Sequence, residues 1–237
     1  MPTILITGAN RGIGLEFTTR YAADGWDVIA CCRTPDHAEA LRTVAQAHPQ
    51  VTIEPLDVQD HPAIDALGNK YRGRAIDVLL NNAGIIGPLP IAEHADRQSF
   101  GNMDYAIWRD VIETNTFGPL KMTETFVEQV ALSEQKKIVS LSSTTGSMAE
   151  MSVPAIAYAS SKTALNRAMT TVAGELKERG IIVALFCPGY VKTRMDAFGF
   201  ALLEITDSVA GLRTLIADLT LEDAGTFTRY DGTPIAW

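Results

Sequence analysis

Tyr158 and Lys162 stand four residues apart in Tyr158-Ala-Ser-Ser-Lys162, a spacing that puts both side chains on one face of a helix. A phenol with a pKa of about 10 is a poor base at neutral pH. A neighbouring ammonium favours the phenolate, and bringing a phenol to about 7 requires roughly 4 kcal/mol of preferential stabilisation. Such a pair can pass a proton to or from an oxygen that gains or loses charge. Ser142 and Ser143 follow the apolar run 137–141, where a hydroxyl can hydrogen-bond a carbonyl and hold it against the tyrosine. Strand alternation after Val139 and Leu141 favours Ser143, just ahead of the turn that Gly146 begins. Asn115, in Glu113-Thr-Asn-Thr-Phe-Gly118, puts a polar, poorly helix-forming patch inside a helical pattern. A tyrosine–lysine pair, a strand-end serine or a mid-helix asparagine is weak evidence by itself.

A second group of residues has the chemistry of phosphate binding. Thr7-Gly8-Ala9-Asn10-Arg11-Gly12-Ile13-Gly14 follows an apolar run directly and opens a helical stretch. Glycines there let the backbone turn tightly, and the helix N-terminus offers free N–H groups and partial positive charge to a pyrophosphate. The spacing is Gly-xxx-Gly-x-Gly, not the Gly-x-Gly-x-x-Gly dinucleotide fingerprint. The second apolar run ends in Cys31-Cys32-Arg33, where an NAD site would place an acid for the ribose 2′-hydroxyl. Asp27 lies at the wrong end of that run. Arg33 and Arg11 instead predict a 2′-phosphate, hence NADP(H). Asp57 at the third run, with Val58 beside it, is placed to meet the adenine. Asn82, Ala83 and Gly84 follow the fourth run, and Pro188-Gly189-Tyr190-Val191-Lys192-Thr193 the sixth, where Val191 and Thr193 are placed at the carboxamide.

These sites need elements to hold them. Apolar, β-branched runs at 4–7, 27–31, 51–55, 76–80, 137–141 and 181–186 alternate with helical patterns at 12–24, 36–47, 61–71, 105–132 and 157–179, and a last strand is predicted at 226–230. The alternation predicts an α/β fold of Rossmann type, a doubly wound, mostly parallel seven-stranded sheet with helices on both faces. Every candidate site falls at a strand's carboxyl end, where ligands bind on such sheets. Two stretches break the rhythm. Residues 87–103 are too long for an ordinary connection, and 194–224 are predicted to form a substrate lid. Residues 87–103, 144–156 and 194–203 should build a pocket whose apolar residues Ile91, Met148, Met151, Phe198 and Phe200 suit a neutral substrate.

With 237 residues and 46% apolar content, the chain is expected to fold as one domain, residues 1–237. A net charge of −8 argues against nucleic-acid or anionic-membrane partners. Three cysteines with no framework spacing and no leader-like N-terminus point to a cytoplasmic protein, and the absence of zinc-type spacing predicts no metal site. The stretches at 105–132 and 157–179 are apolar on more than one face, which predicts a homodimer.

The combination of the 8–14 loop, Asn81–Gly84, Asn115, Ser143, Tyr158-xxx-Lys162 and Pro188-Gly189 resembles the short-chain dehydrogenase/reductase family over nearly the whole chain. The resemblance implies that Ser143 orients a small-molecule carbonyl and Tyr158 is the acid/base. It implies that Lys162 binds the nicotinamide ribose and tunes Tyr158, and that Asn115 holds a water in a proton relay. Within the family, Ser208-Val-Ala-Gly-Leu-Arg213 and the ending Tyr230–Trp237 are similar to C-factor-like and sniffer-like carbonyl reductases, which adds NADP-binding regulation as an alternative to catalysis. The same residues serve alcohol oxidation as well as carbonyl reduction. The Ser143–Tyr158 gap is slightly longer than the commonest family spacing.

Overall fold

Runs of Ile, Val, Leu and Ala, short and flanked by polar turns, form the strands β1 (Thr3–Thr7), β2 (Asp27–Cys32), β3 (Val51–Pro55), β4 (Val78–Asn81), β5 (Lys137–Leu141), β6 (Ile182–Cys187) and β7 (Phe227–Arg229). The computed structural model describes residues 1–150, 155–196 and 199–237. All seven strands pair in parallel in the order β3-β2-β1-β4-β5-β6-β7. The chain therefore winds outward from β1 in one direction and then crosses back to β4, leaving a crevice at the carboxyl ends of these two neighbours.

Strand alternation divides the core between two faces. On one face Leu5, Ile29 and Ile138 pack with Ile64 of α3 (His61–Lys70), Phe126 of α5 (Gly118–Ala131) and Met169 of α6 (Ile156–Leu176). On the other, Ile4, Ile6 and Val139 pack with Phe17 of α1 (Gly12–Ala23), Leu41 of α2 (Glu39–Ala47) and Leu212 of α7 (Ile205–Asp218). The outer edge of β7 is covered by the chain's own end: the Ile235 N–H donates to the Phe227 carbonyl, and the Trp237 ring stacks on Phe227 at 5.5 Å.

Two expectations change. The helix expected over 105–132 is interrupted: α4 (Tyr105–Ile112) passes through a π-helical turn, Glu113–Phe117, into α5. Pro119 explains the break, because it has no N–H to donate to the carbonyl four residues earlier, which is that of Asn115. The stretch expected as a lid, 194–224, is mostly body. Val209, Leu212 and Ile216 of α7 are buried against the sheet, and of the described residues in 194–224 only Arg194, Met195 and Ile205 line the crevice.

Candidate active site

The crevice is a cavity of about 530 Å³ at the strands' carboxyl ends. Its floor is the loop between β1 and α1, in which Gly8 and Gly12 take left-handed backbone with φ of 67° and 55°. Asn82 ties this loop to the end of β4. Its side-chain amide donates to the Thr7 carbonyl at 2.7 Å and the Gly8 carbonyl at 3.1 Å, while Thr7 Oγ1 accepts from the Asn82 and Ala83 N–H groups at 3.0 Å each. Gly8, Arg11, Gly12, Ile13, Gly14, Arg33, Asp57, Val58, Asn82, Ala83, Gly84, Tyr158, Lys162 and Thr193 all line the cavity. Val191, expected among them, does not. Its side chain is buried and its backbone bridges to Leu203, and Lys192 and Thr193 take the wall instead.

The adenosine end carries more positive charge than expected. Arg194 lines the cavity together with Arg11 and Arg33, and none of the three has an ion pair among the described residues. Burial, followed by repulsion from Arg194 and Arg33, lowers the Arg11 guanidinium below its usual range. Three unpaired cations around one cavity suit a polyphosphate ligand. Arg194 carried no signal in the sequence, since only folding brings the segment after β6 beside the phosphate loop.

At the other end, α6 presents Tyr158 and Lys162 on one face. The Lys162 side chain is buried and its Nζ donates to the Leu141 carbonyl at 2.8 Å, 5.9 Å from the centre of the Tyr158 ring. Burial pulls the ammonium down to about 8 and pushes the phenol up to about 12, while the Ser143 hydroxyl beside it acts in the opposite, weaker sense. Desolvation dominates at both groups, which disfavours the charged form of each. Ser143 caps the short turn after β5 and accepts from Thr145.

Asn115 is fully buried behind this pair. Its amide donates to the Ile85 carbonyl at 2.7 Å and to Ser161 Oγ at 3.0 Å, and its Oδ1 accepts from the Ile85 N–H at 2.8 Å. The side chain is therefore occupied in fastening the irregular segment after β4 to α6. Its main-chain carbonyl is the group that Pro119 deprives of an ordinary helical donor. Ser161, which holds the Asn115 amide, is a site residue that sequence reasoning missed; it lies inside the Tyr158–Lys162 spacing.

Of the residues expected to shape a substrate pocket, Ile91 is buried outside the cavity, Met148 and Phe200 are exposed, and Met151 and Phe198 lie outside the described residues. Ile85, Ile86, Leu89 and Met195 supply the apolar wall instead. Among the described residues no cluster of His, Cys, Asp or Glu has the makings of a metal site, and no helix is long and apolar enough to cross a membrane.

The short chain dehydrogenase family profile matches residues 2–200, so the chain belongs to the short-chain dehydrogenase/reductase family. Among solved structures, the NADPH-bound carbonyl reductase from chicken fatty liver superposes with a TM-score of 0.89 at 30% identity, over 100% of this chain and 99% of that one. The carbonyl reductase Sniffer of D. melanogaster gives 0.87 at 28% identity, with full coverage of both chains. Among curated proteins, C-signal of Myxococcus xanthus is 32% identical over 163 residues, which cover 68% of this chain and 93% of C-signal.

The buried ammonium makes one prediction about the protein without ligand. Lys162 holds its proton to about pH 8 when folded but to the ordinary lysine value of 10.5 when unfolded. Between those values the unfolded chain binds more protons, so this group adds stability as pH rises. The stability difference between pH 7 and pH 9, measured by urea unfolding, should be about 1 kcal/mol smaller in Lys162→Met than in the wild type. An identical pH dependence in both would show that the lysine is not desolvated.

Proposed function

We propose that the chain uses NADPH to reduce a small, neutral aldehyde, ketone or quinone, with Tyr158 as the acid. The observation that carries this reading is one cavity lined at one end by a protonated phenol, with the Ser143 hydroxyl against it, and a buried lysine, and at the other by three arginines without an ion pair among the described residues. The cavity fits the cofactor. Gly12 faces open space, with nothing nearer to an added Cβ than the Thr193 methyl at 3.8 Å, and the end of β2 carries Arg33 where a carboxylate would repel a 2′-phosphate. When bound, NADPH would supply the hydride. The guanidinium forks of Arg11 and Arg33 would hold the 2′-phosphate, and the α1 N-terminus would take the pyrophosphate.

At the reacting end, the Ser143 hydroxyl donates to the carbonyl oxygen and fixes its distance from the phenol. The Tyr158 Oη–H bond breaks as its proton moves to that oxygen, which is gaining negative charge. Lys162, still largely charged at pH 7, offsets the charge left on the phenolate. A proton returns through a water held at the Asn115 carbonyl, the role that its missing helical donor suits. The walls formed by Ile85, Ile86, Leu89 and Met195 support an apolar substrate, with the residues ahead of Ile205 as its lid. Three buried, unpaired thiols support a cytoplasmic setting. A regulatory NADP binder is the second reading, and the similarity to C-signal favours it.

Three outcomes test the proposal. Tyr158→Phe should bind NADPH normally and lose turnover by orders of magnitude, as should Ser143→Ala to a lesser degree. Tyr158→Phe activity within threefold of wild type would remove the acid from the mechanism. Arg33→Ala and Arg11→Ala should each lose roughly ten- to a hundredfold in kcat/KM with NADPH and little with NADH. An equal loss with both cofactors would make them ordinary surface residues. The exposed Tyr105, Phe117 and Leu132 on and around α4 and α5 support a homodimer. Light scattering at micromolar concentration should give twice the chain mass, and a monomeric mass would refute the pairing.

A further inference from the structure

A serine hydroxyl has one proton and two lone pairs. The Ser143 hydroxyl stands beside Tyr158, and whether its proton or a lone pair faces that side decides whether Ser143 can donate to a substrate oxygen. Thr145 stands on the lone-pair side: its N–H donates to Ser143 Oγ at 3.3 Å and its own hydroxyl donates at 3.0 Å. The short helical turn Thr144–Gly146, which carries Thr145 and is capped by Ser143, is held firmly. Ser142 Oγ donates to Asn166 Oδ1 at 2.5 Å, and Asn166 Nδ2 donates to the Gly146 carbonyl at 3.2 Å. Gly146 lies so close to α6 that an added Cβ would sit 2.8 Å from the Lys162 carbonyl carbon. The turn and the helix bearing Tyr158 and Lys162 are thereby locked in one register.

We propose that Thr145 is a positioning residue that sets the direction of the Ser143 hydroxyl. Its two donors occupy both lone pairs of Ser143 Oγ, so the Ser143 proton is left to point at the Tyr158 side and the carbonyl oxygen that arrives there. A hydrogen bond between two hydroxyls can run either way. In the reverse direction Ser143 would give its proton to Thr145 and have none for the substrate. The backbone N–H cannot reverse, and it biases the pair toward the first arrangement. The inference rests on the reading of Ser143 as carbonyl donor, and the test separates the two.

Thr145→Val keeps the shape and removes the hydroxyl, Thr145→Ala removes it with less bulk, and Thr145→Ser restores it. Carbonyl reduction should fall about tenfold in kcat in the first two and stay within twofold in the third. NADPH affinity by fluorescence titration and the melting temperature should stay unchanged in all three. In a Ser143→Ala background, Thr145→Val should cost nothing further, because the bond it serves is already gone. A Thr145→Val enzyme within twofold of wild type, beside a crippled Ser143→Ala, overturns the inference and leaves the proposed function standing. So does an equal loss in both backgrounds, which marks a general disturbance of the turn. Ser143→Ala within threefold of wild type removes the role of Ser143 and the inference with it. Should Thr145→Val fail to fold, Thr145→Ala supplies the same comparison.

Discussion

The Asn82 amide holds two strand ends together, and the site is built outward from that junction. In a parallel sheet the last carbonyls and N–H groups of each strand lose their ladder partners and must be satisfied elsewhere. At the ends of β1 and β4 they are satisfied by each other: Asn82 donates to the Thr7 and Gly8 carbonyls, and Thr7 Oγ1 accepts two N–H groups in return. Because the strand order reverses between β1 and β4, this is also where the helices on the two faces diverge. The stitch thus sets the curve of the phosphate loop and the course of residues 83–85. Asn115 next takes up that course through Ile85, and Ser161 ties Asn115 to the helix of Tyr158 and Lys162.

The reacting end is arranged against stability. Burying an ammonium with one carbonyl for company, beside a half-buried phenol, disfavours the charged form of each. The consequence suits an acid. A phenol held at about 12 is fully protonated at neutral pH and ready to give a proton to an oxygen that becomes more basic than itself. The other end shows the same pattern in another form, with three cations close together and, among the described residues, no carboxylate paired with them. Uncompensated charge at both ends of one cavity marks places where a ligand completes the electrostatics.

Much of this was legible from residue order, because a parallel α/β sheet brings every strand's carboxyl end to one edge. Apolar runs located seven strands to within two residues at each end, and the motifs after them converged without knowledge of side-chain packing. What escaped the sequence depends on chain segments meeting across the fold. Arg194 joins Arg11 and Arg33 only through the path taken after β6. Thr145 and Asn166 look like ordinary turn and helix residues until the turn docks on α6. The helix break at Asn115 was legible in principle: Pro119 follows it by four residues, so the missing donor could be counted. The lid expectation overreached because the amphipathic stretch of α7 packs against the sheet instead of the crevice mouth. Val191 lies on an irregular segment after β6, where position in the sequence does not tell which side chains face inward, and its side chain is buried away from the cavity lining.

The central claim is that this cavity transfers hydride to a carbonyl carbon and does not merely hold a nucleotide. NADPH carrying deuterium at nicotinamide C4, prepared as each of its two epimers, can be turned over with a panel of aldehydes, ketones and quinones and the products examined by mass spectrometry. The account predicts that one epimer delivers one deuterium to the carbinol carbon of the product (for quinones, consumption of NADPH matched by hydroquinone) and that the other delivers none. Tight binding of NADPH with no label in any product and no cofactor consumed would contradict the account and leave the chain as a nucleotide-binding regulator.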